Sequence, residues 1–201
     1  FIEKWPWGFG GGEYRWWDFM ARPESGLKDY RLLTQRASPE IIQEIGFECS
    51  AQGLTVKYGK ISTNKSRVMG VTAAYARMTG IDIQEGRMFN EKEAASGKNF
   101  AILGSQVAEE FFPEGNPVGK TIRIKGLKTL VIGVFQKQGS MMNKQVDAGI
   151  YIPIGYMRNF LSIGHGTSNS RIVVKGFENR STDELESEVR KLMRGIRMLK
   201  P

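Results

Sequence analysis

The feature that most constrains the fold is a regular alternation of turn residues and short apolar runs between residues 70 and 153. Runs of this length, bounded by glycine, proline and asparagine, are typical of strands rather than of long helices. In chain order they read FAIL at 100–103, TIRIK at 121–125, TLVIGVF at 129–135 and IYIP at 150–153. Short helical patterns separate the runs, so the sequence predicts an α+β fold.

The helical patterns between these strands are short, and each has a recognisable start or face. Asn90 is a good helix cap, and residues 107–112 repeat apolar side chains at helical spacing. Short helices are predicted at residues 73–78, 91–95, 107–112 and 156–161. The sequence NPVG at 116–119 has the chemistry of a turn, with proline early and glycine late.

On the N-terminal side of the block, the sequence predicts one short helix followed by two strands. Ser38-Pro39-Glu40 is typical of a helix start, and the helix is expected to end at Gly46. Residues 47–60 alternate with period two and are interrupted at Gln52-Gly53, where a bend or bulge fits. A polar turn at 62–65 leads to a second strand at 66–72, and the two strands are predicted to form a hairpin.

The C-terminal side of the block reads as a strand and a long helix. The strand is predicted at residues 171–175. Ser181 and Glu184 have the spacing of a capping box, in which each side chain bonds the backbone of the other. The residues that follow place four apolar side chains on one helical face: Leu185, Val189, Leu192 and Ile196.

The positive charge of the chain raises the question of nucleic-acid binding. The formal net charge is +8 over 201 residues. The cations are scattered, and the densest run comes near the C-terminus, at Arg190, Lys191, Arg194, Arg197 and Lys200. No stripe of alternating aromatic and basic residues appears, as a single-strand binder would need. We therefore expect a solvated basic face, with an anionic membrane surface as the second interpretation, and no nucleic-acid partner.

Catalytic and metal sites are not predicted. Cys49 and His165 are the only cysteine and histidine, too few for a metal site without clustered carboxylates. Residues 115–121 resemble a phosphate loop, but they have three residues between the glycines where the motif needs four, and they lead into a strand. Ser105 lacks the glycine frame of a nucleophile elbow and is interpreted as a helix cap. The domain is thus expected to be no enzyme and to hold no cofactor.

The block as a whole resembles the extracytoplasmic core domain of MacB-type ABC transporter permeases, a group that includes FtsX-like and lipoprotein-releasing permeases. The phrases that carry the resemblance are GVTAAYARMTGIDIQEGRMF from Gly70, FAILGSQVAEEFF from Phe100, NPVGKTIRIKG from Asn116, LVIGVF from Leu130 and IYIP from Ile150. Their order and spacing cover about half of the chain, which makes the set more specific than any single motif.

The resemblance implies two small subdomains. Residues 36–71 and 164–201 would form a porter-like βαβ unit, and residues 72–163 an inserted, sabre-like mixed block. Residues 1–35 are rich in tryptophan and glycine and are predicted to be an irregular juxtamembrane arm. The alternative interpretation of their aromatic side chains, left open here, is that they pack onto the domain.

The resemblance also implies a location and a function. No apolar run reaches the ~18 residues of a membrane span, and we expect a fragment of a longer protein, anchored in the inner membrane by flanking helices, with the domain on the periplasmic side. It would transmit ATP-driven conformational change for export, with ATP on a separate cytoplasmic domain, in a permease homodimer and possibly with a periplasmic adaptor. The alternative is a partner-binding or regulatory domain of an FtsX-like or lipoprotein-releasing permease.

The loop at residues 136–147 is the candidate partner-binding site. It contains adjacent methionines, which are adaptable side chains over-used at promiscuous binding surfaces. The candidate residues are Ser140, Met141, Met142 and Asn143. The alternative is that one methionine packs into the core and the other has no role.

Overall fold

A computed structural model describes residue 2 and residues 24–139, 144–163 and 169–198, without the side chain of Lys144. The helices of this part of the chain are α1 (Leu27–Arg36), α2 (Ala73–Met78), α3 (Glu91–Ser96), α4 (Ser105–Phe111), α5 (Lys144–Asp147), α6 (Ile154–Met157) and α7 (Thr182–Arg197). The strands are β1 (Ile42–Ala51), β2 (Val56–Tyr58), β3 (Ile61–Thr63), β4 (Arg67–Val71), β5 (Ile83–Gly86), β6 (Phe100–Leu103), β7 (Thr121–Ile124), β8 (Leu127–Phe135), β9 (Gly149–Pro153) and β10 (Arg171–Gly176).

The ten strands form one mixed sheet in the order β10-β1-β4-β9-β6-β8-β7-β2-β3, with β5 paired to β8 beside this path. The pairs β4–β9 and β6–β8 are parallel, and the other pairs are antiparallel. Together with the helices this is the mixed α/β fold that the sequence predicts. The division into two subdomains stays a prediction.

The sheet is covered on both faces, because successive strand residues belong to two different apolar clusters. In β9, Ile150 and Ile152 join the larger cluster, and Tyr151 between them joins the smaller one. Such alternation places the two clusters on opposite sides of the sheet. Helices α1, α4, α6 and α7 contribute to the larger cluster, whereas α2 and α3 contribute to the smaller one.

The predicted helix before Gly46 is wrong, because this segment is the first part of strand β1. A turn at Ser38, whose carbonyl accepts hydrogen bonds from Ile41 and Ile42, takes the place of the helix start. Strand β1 lies between β10 and β4 and is buried along nearly all of its length. A register shift between Ile42 and Glu44 interrupts the period of two, so that Ile42 and Ile45 join the same apolar cluster at a helix-like spacing of three.

The prediction that residues 1–35 form an irregular arm is wrong for its last part, because residues 27–36 are helix α1 and Leu33 is buried in the larger cluster. Other predicted elements differ in detail. The polar turn predicted at 62–65 is partly strand, since β3 forms a tight hairpin with β2. The helix predicted at 156–161 is α6, which starts two residues earlier and ends at Met157. The predicted hairpin is correct only in part: β1 pairs antiparallel with β4, Cys49 opposite Gly70, but residues 56–58, predicted to continue the first strand, form β2 and pair with β3 and β7. The helices after Asn90 and Ser181 have the expected capping boxes.

The base of the 136–147 loop as a candidate functional site

The four candidate partner-binding residues, Ser140, Met141, Met142 and Asn143, lie outside the described residues. His165 also lies outside them. The structure does describe both ends of the loop, residues 136–139 after β8 and helix α5 before β9. The described part of the candidate site therefore consists of the residues that hold these two ends.

Asp147 holds the two ends of the loop together. Its Oδ1 atom accepts hydrogen bonds from the Gln138 backbone N–H at 3.0 Å and from the Ser105 hydroxyl at 3.0 Å. Its Oδ2 atom accepts one from the Gly139 backbone N–H at 3.2 Å. The side chain is buried, with 6% of its surface exposed. Such charge-assisted hydrogen bonds are stronger than neutral ones, so this carboxylate fixes the loop base.

The charge on Asp147 is favoured although the residue is buried. Burial by itself raises the pKa of a carboxyl group, because it penalises the ionised form. The N–H groups of Gln138 and Gly139, the Ser105 hydroxyl and the positive charge of Lys137 act in the opposite direction. Their sum is larger, and the pKa of Asp147 lies below its usual value.

Gly104 allows the close approach that brings Ser105 to Asp147. Its N–H donates to the Gly149 carbonyl at 2.8 Å. A Cβ atom at this position would lie 2.2 Å from the carbonyl oxygen of Val146 and 2.3 Å from that of Asp147. Only glycine fits so close to a neighbouring backbone.

Arg67 in β4 fixes α5 from the other side. It donates from Nη1 to Gln145 Oε1 at 3.2 Å and from Nη2 to Ser50 Oγ at 2.7 Å. Gln145 belongs to α5 and Ser50 to β1. The base of the loop is thus attached to the side chains of two strands as well as to the start of α4.

A surface groove of about 380 Å³ lies next to this base, and we call it the loop-base groove. Its walls are the end of β5, helix α4 and the turn that follows α4, and its lining includes Glu85, Ser105, Glu109, Phe112, Pro117 and Val134. Lys137, on the loop, pairs with Glu109 at 3.2 Å. The groove and the loop base therefore share Ser105 and Glu109 as neighbours.

Sequence reasoning missed Asp147 and misread Ser105. The N-cap of α4 is Gly104, and Ser105 is the first helical residue, buried, with its hydroxyl on Asp147. The two residues are 42 positions apart. Neither has a local pattern that points to the other, so only the fold brings them together.

The predictions on catalytic chemistry can be compared with geometry at several positions. Cys49 is fully buried, and burial raises the pKa of its thiol to about 12, so it is protonated and shielded. Asn116 Oδ1 accepts from the Val118 N–H at 2.7 Å in a turn before β7, so residues 115–121 lead into a strand as predicted. Within the described ranges, no three His, Cys, Asp or Glu side chains are grouped as metal ligands would be.

None of the helices in the described part is both long enough and apolar enough to cross a membrane.

The two ends of the described chain lie close together. Ile2 and Arg197 approach the same residue, Ser25, whose hydroxyl donates to the Ile2 carbonyl at 3.1 Å and lies 3.5 Å from Arg197 Nη2. Arg197 also pairs with Asp29 at 2.7 Å.

Comparison with known families gives a match over most of the chain. Residues 5–192 match the family model of the MacB-like periplasmic core domain. A macrolide export ATP-binding/permease protein MacB from a Shewanella species is 26% identical over 136 residues, which is 68% of this chain and 19% of that protein. MacB of Bdellovibrio bacteriovorus is 35% identical over 89 residues, 44% of this chain and 14% of that protein. The ABC transporter permease YknZ of Bacillus subtilis is 23% identical over 138 residues, 69% of this chain and 33% of that protein.

Solved structures give the same fold. The periplasmic region of MacB from Actinobacillus actinomycetemcomitans superposes with a TM-score of 0.73 at 21% identity, covering 94% of this chain and 80% of that one. The extracellular domain of the transporter YknZ from Gram-positive bacteria gives a TM-score of 0.66 at 21% identity, with 84% and 83% covered. These structures are extracytoplasmic parts of transporters rather than enzymes. The chain spans a third or less of the relatives named above.

Proposed function

The chain belongs to the family of MacB-like periplasmic core domains, and from this premise we propose that it transmits ATP-driven conformational change to the periplasmic side of an ABC transporter permease for export of a substrate. ATP is bound by a separate cytoplasmic domain, and this domain itself holds no cofactor. The MacB relatives are named ATP-binding/permease proteins, and a chain that combines both parts supports this arrangement.

The observation that carries the proposal is one continuous sheet between the two chain ends and the loop base. Ile2 bonds to Ile172 of the edge strand β10, and Arg197 reaches the same region through Ser25. From β10, the sheet continues through β1 and β4 to β9, and through β6 to β8. The loop connects β8 to β9. A displacement at the chain ends therefore reaches the loop through backbone hydrogen bonds, a stiff connection.

The remaining partners follow from the same proposal. Helices that flank this domain in the full-length protein anchor it in the inner membrane, and two permease chains form a homodimer. A periplasmic adaptor protein is the partner expected at the loop. We expect no nucleic-acid partner: among the cations of α7, Arg190 pairs with Glu186, and Arg197 pairs with Asp29.

The test uses the full-length permease with its ATPase domain, reconstituted in nanodiscs and spin-labelled at Gln106→Cys. Gln106 is exposed on α4. We expect ATP with vanadate to change the distance distribution between the two labels of the dimer. A label at Lys28→Cys, an exposed site beside Asp29 at the chain ends, should report a smaller change, because it lies next to the predicted anchor.

Within these 201 residues Cys49 should not take up the label, because it is buried and its thiol is protonated. The chain without added cysteine is the labelling control. Identical distributions at Gln106→Cys with and without nucleotide, in a preparation whose ATPase is active, would contradict the proposed transmission.

A further inference from the structure

The loop-base groove combines an open strand edge, an apolar floor and an unsatisfied carboxylate. We propose that it binds an extended segment of a partner protein, in which a basic and an apolar residue two positions apart lie on the same strand face, and that the segment adds as a strand to β5. The inference concerns this surface alone and holds or fails independently of the ATP-driven movement proposed above.

Two glutamates, Glu85 and Glu109, line the groove. Glu85 belongs to β5, and its Oε2 atom is buried without a hydrogen-bond partner among the described residues. A buried carboxylate oxygen without a partner is costly. Glu109 lies at the rim with 64% of its side chain exposed and one cation, Lys137, beside it. A lysine or arginine from a partner would satisfy Glu85 and lie close to Glu109.

Much of the rest of the groove is lined by apolar side chains. Ala108 and Phe112 are one helical turn apart and face it together, and Pro117 and Val134 complete the apolar lining. All four of these side chains are buried. An apolar side chain next to the cation would therefore find a preformed surface.

Among the strands that the structure describes, β5 has one paired edge and one open edge. This strand pairs with β8 on one side, and Gln84 in its middle is exposed. An added strand would bond this edge, as in other cases of peptide recognition by strand addition. Side chains on one face of a strand repeat every second residue, about 7 Å apart. A basic residue beside Glu85 and an apolar residue two positions later would therefore both face the groove, where Phe112 belongs to the apolar lining.

A matched pair of peptides tests the proposal. The probes are two fluorescein-labelled octapeptides, one that repeats lysine-serine-valine-serine and one that repeats glutamate-serine-valine-serine, measured by fluorescence anisotropy. We expect the lysine peptide to bind the 201-residue chain, with at least tenfold weaker binding in 0.5 M NaCl. We expect no binding of the glutamate peptide.

Two substitutions locate the binding. Glu85→Gln should weaken binding of the lysine peptide at least tenfold, because it removes the buried charge. Glu110→Gln makes the same chemical change at an exposed residue of α4 outside the groove lining, and it should leave binding unchanged. Circular dichroism and urea denaturation establish that both variants are folded. In NMR spectra of the original chain, the peptide should shift the amide signals of Gln84 and Glu85.

Several results would overturn the proposal. These are an absence of lysine-peptide binding up to 1 mM, equal binding of both peptides, an equal effect of both substitutions, and amide shifts confined to residues outside β5 and α4. Concentration-dependent dimerisation that Glu85→Gln abolishes would instead assign the groove to a second copy of this chain.

Discussion

Asp147 is the residue on which the loop base most depends. An Asp147→Asn variant keeps the size of the side chain but loses the charge, and its amide nitrogen must face one of three hydrogen-bond donors. We expect its free energy of unfolding at pH 7 to be about 2 kcal/mol lower, the usual loss for hydrogen bonds to a buried charged group. Urea denaturation followed by circular dichroism measures this difference.

The same variant has a defined pH dependence. Because the pKa of Asp147 is lowered in the folded protein, its ionisation stabilises the fold fully above the unfolded value of about 3.9. This contribution is lost as the pH falls through the lower, folded pKa. The stability difference between the two proteins should therefore shrink below about pH 4. Glu110→Gln, on an exposed carboxylate, is the control and should change stability by less than about 0.5 kcal/mol; a difference that stays constant down to pH 2 would contradict this account.

Gly104 gives a second prediction at the residue scale. Gly104→Ala places a Cβ atom against two backbone carbonyls of α5, and backbone atoms cannot move aside as a flexible side chain can. We expect a loss of more than about 2 kcal/mol, in the range of overpacked sites, measured by thermal or urea unfolding. Gly115→Ala, where a Cβ atom meets nothing within 4 Å, should be nearly neutral. Similar stabilities of the two variants would show that α5 does not pack against Gly104 as described.

Residue roles were predictable where the partners are close in sequence. Asn90 accepts from the Glu93 N–H at 2.9 Å and Ser181 accepts from the Glu184 N–H at 3.1 Å, as the three-residue spacing predicts. Asp147 and Ser105 could not be found in this way, because their contact exists only after β6, β8 and β9 have paired. The partner-binding role of residues 140–143 therefore stays a prediction, and the residues that hold the base of their loop were not found from the sequence.

At the scale of elements, strand β1 shows how tertiary contacts override local signals. Ser38-Pro39-Glu40 has a helix start and is followed by closely spaced isoleucines, yet the segment pairs with two strands. Gly46, the expected helix end, lies where α2 crosses the sheet, and a Cβ atom there would be 2.8 Å from the backbone of Tyr75. β-Branched residues such as isoleucine favour strands when both faces are covered.

Helix α7 supplies the prediction at this scale. Gly195 lies in its last turns, and a Cβ atom there would meet nothing within 4 Å. Gly195→Ala should raise the free energy of unfolding by up to about 1 kcal/mol, because glycine costs conformational entropy in a helix. Thermal denaturation measures the gain. Ser187→Ala, exposed in the same helix, should gain less, about 0.5 kcal/mol; a loss of stability at Gly195→Ala would indicate a close contact at this position.

At the scale of the whole molecule, the sheet joins regions that the sequence assigned to different subdomains. Strand β4, from the predicted porter-like region, pairs in parallel with β9 of the predicted inserted block over residues 67–71 and 149–153. Strand β2, also from the predicted porter-like region, pairs antiparallel with β7 of the predicted inserted block. Sequence patterns give the order of strands along the chain, but parallel partners are about 80 residues apart here, and no local signal specifies such pairing.

These pairings predict one cooperative unfolding transition. If β4 and β9 separate, both halves lose backbone hydrogen bonds and the apolar clusters that cover them, so neither half should survive alone. We expect hydrogen exchange measured by mass spectrometry at increasing urea to show peptides from β10 and from β8 losing protection at the same midpoint. In Gly70→Ala, the new Cβ atom would lie 2.6 Å from Met157 Cβ, next to the β4–β9 pair. This substitution should lower both midpoints together. Loss of protection in residues 100–135 at clearly lower urea than in residues 171–197 would instead establish two independently folding subdomains.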